Sequence, residues 1–291
     1  EGQAICWLVS LASPVTDLVA EYDCHLELRA DDEQSADDIQ ATDEEQHAYH
    51  SFKRMLHWCP RFKKLISNDV NNHEVIVACQ ELKKGADCAR GDDANMLKSL
   101  VASWLNEALP HCDTVDKSGH RFYHDITSRL LCPVDYNWLD VFIWSAIREY
   151  HPKFPVTADT YPTYLYPGGQ YDARNPSKGL FKGELLIRAF CCIFTSPSSA
   201  ELGMDDNETA GPHKKARKTM SNKTHCDVAG LLKISTSWNV KDEDFDYILF
   251  YQNIIDYFEC PSLRQKAEEV EDILLWWNWY VISNSLVSAL S

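Results

Sequence analysis

Apolar residues recur at helical spacing along most of this chain. Phe52, Met55, Leu56 and Cys59 share one face up to Pro60, and Phe62, Leu65 and Ile66 continue it, which predicts two short helices or one kinked helix. Asn72 can cap a helix carrying Val75, Ile76, Cys79 and Leu82, with Gly85 after Lys83 and Lys84 as its stop. Asp92 and Asp93 then stand at a predicted helix start, followed by the stripe Met96, Leu97, Leu100, Val101, Trp104 and Leu105, and Pro110 ends it. A further helix is predicted over about residues 138–150 with Val141, Phe142 and Ile147 inward, before Pro152 and Pro155. The stretch YPTYLYPGGQYDARNPSKG, residues 161–179, is rich in turn residues and predicts an ordered loop held down by its four tyrosines. Helical periodicity returns over 180–194, roughly 243–260 and 262–282. No glycine-rich βαβ rhythm interrupts this pattern. The expectation is a mainly α protein, a single multi-helix domain of about eight helices with long irregular loops.

The segments between helices set the predicted organisation. Residues 1–30 form an N-terminal segment. Residues 31–46 hold eight acids and no Lys or Arg, so they predict a solvated, flexible linker. A helical core over 47–199 follows, then a mobile basic loop over 200–226, and C-terminal helices over 227–291 that pack on the core. The apolar stretch 4–20 lacks a basic leader and is interrupted by Pro14 and Asp17, so it does not read as a secretory signal. The apolar stretch 273–282 contains Asn278 and falls short of the roughly 20 apolar residues that a membrane span needs. Both point to an intracellular protein, nuclear or cytoplasmic, that is neither secreted nor membrane-bound.

Charge narrows the partners. Lys+Arg 28 against Asp+Glu 44 gives a formal net charge of −16, which disfavours phosphate backbones and anionic lipid as ligands. The exception is local: Lys214, Lys215, Arg217 and Lys218, with Lys223, form a basic run that has the spacing of a nuclear-localisation signal. It is also the one place where nucleic acid could be held. The 11 cysteines are odd in number and show no CxxC spacing, which fits reduced thiols better than a disulfide framework.

Candidate chemistry is sparse. Arg90, Asp92, Asp93 and Lys98 cluster in sequence, and His124 and Cys132 lie downstream, with Asp125 as a possible orienting carboxylate. A Cys nucleophile would need His124 within hydrogen-bond reach. The competing structural reading is that Asp92 and Asp93 cap a helix, Arg90 pairs with one of them, and Cys132 is a small buried residue before Pro133. Cap residues and buried cysteines are far commoner than catalytic ones, so the structural reading is preferred. His111, Cys112, His120, His124 and Cys132 include zinc-ligand types, but their spacing matches no zinc motif, so neither metal nor cofactor is expected. Arg90, Lys98, Trp276 and Trp277 are the candidate binding residues, with Trp279 and Tyr280 beside the tryptophan pair. Neighbours on a helix diverge by about 100°, so one of the pair should pack against Leu249 or Ile254 while another stays available to a partner.

Five separated blocks carry a resemblance: ARGDDANMLK at 89–98, FYHDITSRLLCP at 122–133, YPTYLY with YDARNPSKGLF across 161–181, IFTSPSS at 193–199, and DILLWWN at 272–278. In order and rough spacing they resemble an uncharacterised domain family expanded in mushroom-forming basidiomycete fungi. Arg121 stands where that pattern has Gly, Tyr161 where it has Trp, and the ending after Asn278 departs from it. The resemblance implies no activity, ligand or catalytic residue. The expectation is therefore a non-catalytic protein-interaction module, with its basic loop as a candidate nuclear-import signal. The alternatives are an enzyme or metal-dependent site around Asp92, Asp93, His124 and Cys132, and a nucleic-acid-associated protein using residues 214–223.

Overall fold

The computed structural model describes residues 2–10, 13–20, 43–67, 72–108, 122, 124–194, 245–261 and 263–290. The acidic run up to residue 42, the zinc-type residues His111, Cys112 and His120, and the basic residues Lys214, Lys215, Arg217, Lys218 and Lys223 lie outside the described residues. Among the described residues the structure is mainly helical, as the periodicity predicts, with no strand and one antiparallel bridge between Pro133 and Pro162. None of the helices among the described residues is long and apolar enough to cross a membrane. The chain divides into two compact units, Glu1–Asp92 and Asp93–Ser291.

In the first unit, α1 (Gly2–Leu8), a short helix at 15–20, α2 (Asp43–Trp58), α3 (Pro60–Ser67) and the start of α4 (Asn72–Ala108) share one apolar core. Phe52, Met55 and Cys59 of the predicted stripe are buried there, with Phe62 beyond the break. Pro60 occupies the first position of α3, where a missing N–H costs nothing, so two abutting helices result. Gly85 does not stop a helix. It sits inside α4, where a Cβ would come within 2.8 Å of the Gly2 Cα, so its missing side chain permits the close crossing of α1. Glycine within a helix costs about 1 kcal/mol relative to Ala, and here the close contact offsets that cost.

This continuity overturns two expectations at once. Asp92 and Asp93 are interior positions of a 37-residue helix, not its start. The local signals Gly85, Gly91 and the two acids mimic a stop followed by a start, but packing on both sides of them sustains the helix.

The second unit contains the rest of α4, then α5 (Asp125–Leu131), α6 (Val141–Arg148), the loop with 3-10 turns at Thr163–Leu165 and Pro167–Gly169, α7 (Glu184–Phe194), α8 (Tyr247–Glu259) and α9 (Arg264–Leu290). Asp140 caps α6 by accepting from the Phe142 N–H at 2.9 Å, and Asp246 caps α8 by accepting from the Ile248 and Leu249 N–H groups. Ile147 is buried as predicted, whereas Val141 and Phe142 are 66% and 62% exposed. The cap fixes the phase of α6 so that Ala146 and Ile147 point inward, and the Phe142 ring instead meets Phe154 edge-on at 5.8 Å.

The aromatic loop is ordered in the manner its tyrosines predict. Tyr164 and Tyr166 are buried, and the Tyr166 hydroxyl donates to the Pro176 carbonyl at 2.9 Å. Burial pushes both phenols above their ordinary range. The α7 helix begins at Glu184 and not at 180, because Gly179 (φ 81°) and Phe181 (φ 59°) lie in the left-handed region, which no helix turn accommodates.

Candidate interaction surface

The residues singled out for chemistry are placed as follows. His124 is the N-cap of α5: its Nδ1 accepts the Ile126 N–H at 3.3 Å, and its carbonyl accepts the Ser128 hydroxyl at 2.6 Å. Cys132 is the C-cap of the same helix, fully buried, its thiol directed at the Pro133 and Tyr136 carbonyls. With a seven-residue helix between them, the two are about 12 Å apart along the axis, beyond any nucleophile–base hydrogen bond. Asp125 accepts the Trp138 indole N–H at 3.1 Å.

On α4, Arg90 pairs with Asp87, Asp92 is exposed, and Lys98 is half-buried. Asp93 lies close enough to Cys192 to join burial in raising that thiol to about 11. Neighbouring Cys191 is also pushed to about 11, by burial first and then by Cys192, so this adjacent pair stays protonated at neutral pH. Because the His124 imidazole caps a backbone N–H, His124→Ala is expected to cost about 1 kcal/mol in urea denaturation and His124→Asn to restore most of it. Equal losses in both variants would show that the imidazole does something other than capping.

The tryptophans of α9 form the more informative cluster. Trp277 is 1% exposed, meets the Phe190 ring at 5.2 Å and donates its indole N–H to the Phe181 carbonyl at 3.0 Å. The expected divergence of the pair is observed: Trp276 is half-buried, edge-on to Trp277, stacked on Tyr280 at 5.2 Å and covered by the Lys182 ammonium at 5.1 Å. Burial lowers the pKa of Lys182, an effect that nearby Asp272 opposes. Trp277 thus anchors to Phe181 of the 161–183 loop and to Phe190 of α7.

The same loop grips α9 at two levels about two turns apart. Ser177 donates to Glu269 at 2.5 Å, the Phe181 carbonyl receives Trp277, and Lys182 covers Trp276. The Phe181 ring is fully buried against Tyr161, Tyr257 and Phe258, at 5.9, 5.3 and 4.9 Å, and this burial compensates a left-handed backbone worth about 1–3 kcal/mol of strain. The Leu165 carbonyl accepts both the Lys182 and the Gly183 N–H, closing the loop on itself. Burial raises the pKa of Tyr257. The nearby Ser177 hydroxyl opposes that shift, and among the described residues the Tyr257 hydroxyl has no partner of hydrogen-bond geometry.

With the inner face of α9 held this way, the outer face carries Glu268, Glu271, Asp272, Leu275 and Trp279, all exposed. They fall at i, i+3, i+4, i+7 and i+11, one continuous stripe. Leu275 and Trp279 are each 65% exposed. The sequence reading passed over Leu275 and the three acids; their spacing becomes a signal only when Trp277 is known to point inward, which fixes the phase of the helix.

No curated protein and no solved structure matches the chain. The model of one protein family, described as a family of unknown function, matches residues 84–282, a span that includes α5 to α8, the 161–183 loop and the described part of the α9 stripe. The chain belongs to this family of unknown function, DUF6698.

Proposed function

We propose that this protein is a non-catalytic protein-interaction module whose recognition surface is the outer stripe of α9. The observation that carries this reading is the exposure of Leu275 and Trp279, one turn apart on a helix that the aromatic loop holds in a fixed rotation. A large aromatic presented on a rigid element is the residue type that dominates interface energetics, and its ordering cost has been met before a partner arrives. The use of His124 and Cys132 as helix caps supports the same reading. The basic run Lys214, Lys215, Arg217 and Lys218 fits a nuclear setting for the module, and the five sequence blocks fit a fungal source.

A photo-cross-linking amino acid in place of Leu275, in cells expressing the chain, tests this. Discrete adducts are expected, and Trp279→Ser should weaken capture by about 2 kcal/mol, roughly thirtyfold. The same amino acid at exposed Glu149 is the control. No adducts at 275, or the same adduct pattern at both positions, would refute the surface.

A further inference from the structure

Resting on that interaction reading, we infer that the α9 stripe receives a cationic amphipathic helix of a partner protein, one whose Lys or Arg residues and apolar anchors follow each other along one face. The stripe is divided lengthwise. Its first half is acidic, Glu268, Glu271 and Asp272, and its second half is apolar, Leu275 and Trp279. Arg264 and Lys266 in the first turn are the basic residues of this helix, and from Glu268 to Ser291 no Lys or Arg occurs, so no basic residue on the helix follows the acidic half. Arg264 engages Glu268 at 3.1 Å from the N-terminal end, and Lys182 reaches the helix beside Asp272 on its loop-facing side, so Glu271 stands between two locally balanced acids.

Charge complementarity selects the occupant. The net charge of −16 steers cationic partners toward this chain and repels acidic ones. A second copy seated on the stripe would set acidic half against acidic half in a parallel pairing, and in an antiparallel pairing would bury three carboxylates against Leu275 and Trp279. Anionic lipid and nucleic acid are disfavoured by the same sign. From Glu268 to Trp279 the stripe spans about 16 Å, three turns, so a partner helix of about 12–18 residues covers it. Such a helix needs basic residues over its first half and two apolar anchors about two turns further on.

The test uses the full chain and a fluorescein-labelled peptide of about 18 residues, with Lys at i, i+3 and i+4 and Leu and Phe at i+7 and i+11 of a helical background. A scrambled peptide of identical composition is the control. Anisotropy titrations are expected to show the patterned peptide binding at least about tenfold tighter than the scrambled one. E268Q/E271Q and L275S/W279S should each weaken it by about tenfold or more, and only the first should flatten the salt dependence. All four side chains are exposed, so circular dichroism should show both variants folded as the parent.

Equal binding of the two peptides, or a loss confined to E268Q/E271Q, would reduce the effect to unspecific charge attraction and overturn the proposal. Self-association of the chain that L275S/W279S abolishes, read by sedimentation velocity, would overturn it in favour of a second copy. Adducts at position 275 without peptide binding would remove the cationic partner while leaving the interaction surface standing. Absence of both would remove the two together.

Discussion

Trp277→Ala is expected to destabilise the protein by about 4 kcal/mol, the largest loss of any single side chain on α9. Two effects combine. Deleting a fully buried indole leaves a cavity beside Phe190 that the surrounding rings cannot close, and it strips the Phe181 carbonyl of its donor. Trp277→Phe helps to separate them, since it keeps a six-membered ring in the site and loses the N–H with part of the indole; about 1–2 kcal/mol is expected from the orphaned carbonyl, beside a smaller cavity cost. Urea denaturation of both variants gives the two numbers. A Trp277→Ala loss below about 1 kcal/mol would mean that the indole is not the anchor of α9, and the fixed rotation of the outer stripe would fall with it.

Gly183→Ala should be nearly as damaging, at about 3 kcal/mol or more, for a purely steric reason. A Cβ at Gly183 would sit 1.9 Å from the Tyr164 carbonyl oxygen, a backbone atom that cannot swing aside. The Gly183 N–H also bonds the Leu165 carbonyl, so relief by moving the chain breaks the loop closure. Gly91→Ala is the internal comparison, because among the described residues a Cβ there meets nothing within 4 Å beyond its own chain neighbours and helix backbone, and Gly91 is a helix residue. That substitution is expected to stabilise by about 0.5–1 kcal/mol. One change of residue type therefore carries opposite signs at two sites, and thermal melts of the pair would show it. If Gly183→Ala melts within a degree or two of the parent, the tight loop described here is wrong.

Much of the fold was legible because helical periodicity is local. Phe52, Met55 and Cys59, and later Leu97, Val101 and Trp104, are buried as their spacing requires. Boundaries were less legible where a local signal competed with packing. Gly85 reads as a stop by composition and acts as a crossing point, because its value lies in a contact with Gly2 more than 80 residues away in sequence. Val141 and Phe142 read as core by their apolar type, but the Asp140 cap sets the phase against them. The candidate surface was half legible: the divergence of Trp276 and Trp277 follows from helix geometry alone. Which of them points inward depends on the Phe181 carbonyl, and the orientation of that group depends on a left-handed residue that no pattern announces.

Phe181 has a consequence for which sequences this loop can accept. Its backbone asks for glycine and its side-chain position asks for an aromatic ring, and no natural residue satisfies both. Glycine would relax the chain and empty the pocket between Tyr161 and Phe258; leucine would keep the strain and fill the pocket badly. Every single step away from phenylalanine is therefore uphill, and drift at this position should proceed only through compensated pairs, with Tyr161, Tyr257 and Phe258 as the residues that must change in concert.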